Sequence, residues 1–136
     1  MKFIFTTLAT LSLFSSVYAE QETTKMTEEM RTSNKALKKL RKIDKSDWDG
    51  MAAAAREAQA AFLKSMSYVP VVVKEMQDGP EKDKAAADAR RLLGLGYAAL
   101  CELEMAYLEK DQDMVDAALS KIKEVRKEGH DSYTDD

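Results

Sequence analysis

The chain is 136 residues long, with 24 acidic and 21 basic side chains, one histidine and one cysteine. That length suits a single domain with a real core. The slightly acidic balance, with no basic patch interleaved with aromatics, argues against a nucleic-acid partner. The lone thiol, Cys101, excludes an internal disulfide.

Residues 1–19, MKFIFTTLATLSLFSSVYA, read as a secretory leader. Lys2 is basic, Phe3 to Phe14 is apolar, and Val17-Tyr18-Ala19 puts small residues at the −3 and −1 positions of a cleavage site. The apolar run is too short to span a bilayer as a helix. The expected product is residues 20–136, delivered to the periplasm of a Gram-negative envelope with no membrane insertion of the mature chain.

The remainder reads as helix, because no window alternates apolar and polar residues in the manner of a strand. The first predicted helix runs from about Thr27 to Ile43, with Met26, Met30, Ser33, Leu37 and Leu40 on one face and Thr24 or Thr27 as its cap. DKSDWDG breaks it. The second runs from Ser46 or Asp47 to Ser67. Its inner line is Trp48, Met51, Ala55, Ala58, Phe62 and Met66, and its alanine-dense start favours helix and lets neighbours approach closely.

Residues 68–83 are punctuated by Pro70 and Gly79-Pro80 and are expected to be irregular. Val71, Val72 and Val73 should not all face water, so this segment should fold over something. The third helix runs from about Glu81 to Lys110, its core line passing through Ala86, Ala89, Leu93, Gly96, Leu100, Leu103 and Tyr107. Gly94 and Gly96 lower its helix propensity, which points to close packing there. The fourth, Gln112 to Tyr133, carries Val115, Leu119, Ile122 and Val125, with Arg126, His130 and Tyr133 on an adjacent line.

Four amphipathic helices with short links predict an all-α fold, an antiparallel up-down-up-down four-helix bundle. In that topology the start of the first helix, the end of the fourth and the 68–83 connection share one end. Met30, His130 and the VPVVV segment are therefore expected together.

One histidine is too few for most zinc, copper or iron sites, and no Ser-His-Asp arrangement is supported. A histidine and a methionine drawn from opposite ends of a chain do suit the two axial positions of a haem iron. The plainer reading makes Met30 core filler and His130 a solvated side chain, which leaves a haem-free envelope bundle serving as a scaffold or partner-binding protein. A copper site built from Met26, Met30 and His130 is a third reading, on a Met-x-x-x-Met spacing that is common in helices.

Three motifs, in order, carry a resemblance. EMRTSNKALKKLRK (residues 29–42), with Met-x-Thr-x-Asn-x-x-Leu-Lys at residues 30–38, resembles the first helix of the soluble cytochrome b562 family. MAAAAREAQ (51–59) resembles its second helix, and VRKEGHDSY (125–133), with Arg-x-x-x-His-x-x-Tyr, resembles the end of its fourth. The resemblance implies one non-covalent haem b per chain, with Met30 and His130 as axial ligands and Arg126 at the porphyrin edge. It also implies an electron carrier serving periplasmic redox proteins rather than an enzyme, since six-coordinate iron leaves no open position. The absence of Cys-x-x-Cys-His fits non-covalent attachment. Ser33, Ala89 and Gly129 are small and would leave room for a flat macrocycle.

Overall fold

The computed structural model describes residues 12–134, with side chains described from residue 25 onward. The described residues are all-α, with no strand: α1 (Ser12–Lys39), α2 (Trp48–Ser65), a single-turn α3 (Val71–Lys74), α4 (Pro80–Glu109) and α5 (Gln112–Tyr133). Of the expected leader, residues 1–11 lie outside the described residues. Among the described residues no helix is long and apolar enough to cross a membrane.

Local chemistry sets most of the boundaries. The Asp47 carboxylate accepts from Gly50 N at 2.9 Å and caps α2, and Asp111 accepts from Met114 N at 3.0 Å and caps α5, each satisfying an orphan helix N–H. Pro80 opens α4, where its missing N–H costs nothing. Lys110, left-handed at φ 58°, closes the same helix.

α1 departs from the sequence pattern at both ends. It begins at Ser12 rather than Thr27, so Thr24 and Thr27 lie within it rather than at its start. It stops at Lys39 rather than Ile43, where Leu40 N, Arg41 N and Lys42 N bond to carbonyls three residues back and tighten the chain into a turn. The 68–83 connection is also more ordered than its punctuation suggested, since Val71–Lys74 forms α3.

α1 packs on α2, α2 on α4, and α4 on α5. One end of this array is solidly filled. Leu103, Ala55 and Ala106 are wholly buried there with Met51, Tyr107, Val115 and Ala118, and Trp48 lies against Tyr107 at a ring separation of 6.3 Å. Ala36, Ala58 and Leu100 make the next layer. Burying such side chains contributes roughly 1.5–3 kcal/mol for each of the larger ones. Leu119 does not join them. It is 39% exposed while Ala118 is 1% exposed, because the inward stripe of α5 runs Val115, Ala118, Ile122, stepping three and then four.

Polar groups cross the core without being stranded. Gln59 Nε2 donates to Leu100 O at 3.1 Å and to Glu104 Oε2 at 2.7 Å, and Arg56 bonds the other Glu104 oxygen at 2.6 Å. Burial pushes the Glu104 carboxyl up, but the bonds from Gln59 and Arg56 outweigh it and hold the group below its ordinary value.

The two glycines of α4 differ. A Cβ on Gly96 would fall 2.7 Å from the Phe62 ring, so the ring sits where a side chain would be. A Cβ on Gly94 would meet nothing within 4 Å, so Gly94 is not the close-packing position that the pattern suggested.

Candidate functional site: an apolar crevice between the first and last helices

The other end of the molecule is open. Among the described residues, α1 and α5 nowhere approach within 8 Å Cα to Cα. Between them lies a crevice of about 550 Å³, within the range of small-molecule and cofactor sites. Its walls are mostly hydrocarbon, with Leu92 and Leu93 of α4, Phe62 of α2 and Val125 of α5 among them.

α3 explains how this end holds together. The single turn packs on α1, α4 and α5 at once. Val73 is its anchor at 1% exposure, while Val69, Pro70, Val71 and Val72 line the crevice. Three consecutive valines can be accommodated because one faces the core and its neighbours face the cavity.

Met30, Arg126 and His130 all line this one cavity, with Met30 on α1 and the other two on α5. Their sequence separation is bridged by the fold alone. Met30 is half-buried, whereas Arg126 and His130 are exposed, so the α5 side of the site meets solvent. Ser33, Ala89 and Gly129 also line it, and a Cβ on Gly129 would meet nothing within 4 Å. Met26 is part of the wall as well. Cys101 is not among the lining residues; it is half-buried beside Tyr97, whose hydroxyl it holds above its ordinary value.

No protein-family model, curated protein or solved structure matches this chain.

The residues of the site therefore have to be judged by their own chemistry. Among the described residues no group of three or more His, Cys, Asp or Glu could hold a metal ion directly. A bare ion would find one imidazole and two thioethers in a hydrocarbon cleft, a poor donor set for most metals. A flat apolar ligand that brings four of its own donors to an iron needs only one group above and one below it. Met30 and His130, on separate helices facing one crevice, are of the right types for that.

The α5 side is braced by a network. Tyr133 O–H donates to Asp88 Oδ2 at 2.7 Å, with the Ala85 carbonyl at 3.2 Å. Arg91 binds Asp88 at 2.8 Å and Glu128 at 2.7 Å. Burial, then the Asp88 bond, pushes the Tyr133 hydroxyl up to about 12. The Tyr133 and Arg91 bonds hold the Asp88 carboxyl below its ordinary value. The network ties the last turn of α5 to the start of α4 while its backbone stays clear of α1.

Sequence reasoning missed two participants. Phe62 appeared only as a core residue, yet its ring both rests on Gly96 and borders the cavity. Arg31 was passed over because it lies beside Met30 in a lysine- and arginine-rich stretch, where a charge is ordinarily a solvated one. It too lines the crevice.

Proposed function

We propose that the mature chain is a periplasmic electron-transfer haemoprotein, an antiparallel up-down-up-down four-helix bundle that binds one non-covalent haem b in the α1–α5 crevice. The observation that carries this reading is the convergence of Met30 and His130, the chain's single histidine, on one apolar cavity. Met30 on α1 and His130 on α5 would hold the iron, and Arg126 would stand at the porphyrin edge. The haem supplies a reversible ferric–ferrous couple. The chain's own work is to orient the two ligands and exclude water. Leu92, Leu93 and the α3 valines keep the surroundings hydrocarbon, which disfavours the additional charge of ferric iron. The Met30 thioether, a soft donor, favours the ferrous state in the same direction. Redox proteins of the periplasm would be its partners.

Reconstitution with haem tests the reading, because the two ligands are unequal. His130→Ala should lose most haem binding. Met30→Ala should retain haem, turn high-spin or water-ligated, bind carbon monoxide when reduced, and show a lower potential. Met26→Ala, on the same wall, should keep the parent spectrum. Near-infrared magnetic circular dichroism should show the methionine-to-ferric charge-transfer band in the parent and not in Met30→Ala. A purified chain that develops no ligated haem bands under haem supply would instead be the haem-free scaffold.

A further inference from the structure

The charges around the crevice are one-sided. The chain as a whole has more acidic than basic residues, yet no aspartate or glutamate is among the described residues that line the cavity. Its full charges are two guanidiniums, Arg31 on α1 and Arg126 on α5. Both are exposed, so they stand where the cavity meets water.

Neither guanidinium has a carboxylate within ion-pair distance among the described residues. Two acidic groups near Arg126 on α5 are already engaged. Glu128 is bound by Arg91 at 2.7 Å, and Asp131 is bound by Lys127 at 2.6 Å. An apolar cleft with two guanidiniums on opposite walls, neither ion-paired among the described residues, suits a ligand with an apolar body and an anionic edge. Arginine is the side chain best matched to carboxylate by its planar, forked donors.

We infer that Arg31 and Arg126 form a two-sided cationic rim that binds the carboxylates of the crevice's ligand, so that the site selects a flat apolar dicarboxylate over its neutral ester. This rests on the haem reading and adds Arg31 as a binding residue. It also gives the ligand a direction: the acidic edge lies outward at the rim, and the uncharged edge lies inward against Leu92, Leu93 and Phe62.

Titrations of the apoprotein with ferric protoporphyrin IX and with its dimethyl ester, followed by the Soret band, test the rim separately from the iron site. The parent should bind the free acid more tightly than the ester. Arg31→Gln and Arg126→Gln should each weaken binding of the free acid by about 1.5- to fivefold, the range of an exposed charge pair, and leave ester binding unchanged. Arg31→Lys should recover part of the loss. Added salt should weaken the free acid and spare the ester. Arg41→Gln, in the turn after α1 and outside the crevice, should alter neither. If Arg31→Gln changes both ligands alike, or neither, the rim is wrong while the iron site stands. If neither porphyrin gives ligated bands, the haem reading fails and the rim goes with it.

Discussion

A paired substitution on α4 tests the crevice wall in depth. Gly94→Ala and Gly96→Ala are the same chemical change two residues apart, and each should gain roughly 0.5–1 kcal/mol from helix propensity. They differ in what the new methyl meets. At Gly94 it meets nothing within 4 Å; at Gly96 it lands 2.7 Å from Phe62 Cζ and 3.0 Å from Cε1. Carbon atoms pack best at about 3.5–4.0 Å, so the ring must retreat by roughly 1 Å.

It has somewhere to go, because Phe62 is half-buried and borders the crevice. The overpacking cost should therefore sit near the low end of about 1–3 kcal/mol, cancelling the propensity gain. Calorimetry of the haem-free protein should show Gly94→Ala melting about 2–5 °C above the parent, with Gly96→Ala level or lower. The displaced ring then takes up part of the 550 Å³ that a ligand would use. Haem titration should accordingly be weakened in Gly96→Ala and unchanged in Gly94→Ala. Two variants that gain equally in melting temperature and titrate alike would show that the ring does not rest on Gly96.

Tyr133, raised to about 12 by burial and then by Asp88, favours folding in its protonated form. Its stabilisation is complete below its unfolded value near 10 and is lost as pH rises through about 12. Tyr133→Phe should cost about 1 kcal/mol at neutral pH, and the gap to the parent should shrink across that alkaline window in denaturant melts. Leu103→Ala, at a wholly buried position in the filled end, should cost roughly 2–5 kcal/mol in the same assay. Cys101→Ser, outside the crevice lining, should leave the haem spectrum and potential unchanged; loss of the bands would mean that the crevice reaches farther along α4.

The helical elements were legible because their signals are local. Asp47 and Asp111 start helices with their own side chains, and the apolar spacing of α4 marks its buried face from Ala89 to Tyr107. α3 was hidden because four residues between Pro70 and Pro80 are too few for a period. Periodicity identifies a face but not its neighbour, so it placed Leu119 inside where Ala118 is, and treated Gly94 and Gly96 alike. The gathering of Met30 and His130 at one crevice followed from counting helices. The rim at Arg31 did not, because only the fold shows that this one charge in a basic run lies against a cavity.

The separation of α1 from α5 bears on the order in which the molecule comes apart. Chain ends ordinarily fray first, and the two helices that face each other across the crevice are the first and last of the described residues, while the filled end holds the middle of the chain. A ligand gripped from both walls is a clasp that closes almost the whole chain into one loop without a covalent bond. Hydrogen exchange should then be fastest at α1 and α5 in the empty protein. Loading should slow those two helices most and bring the ends close to the protection of the interior. The protein's least durable region would become its fastening.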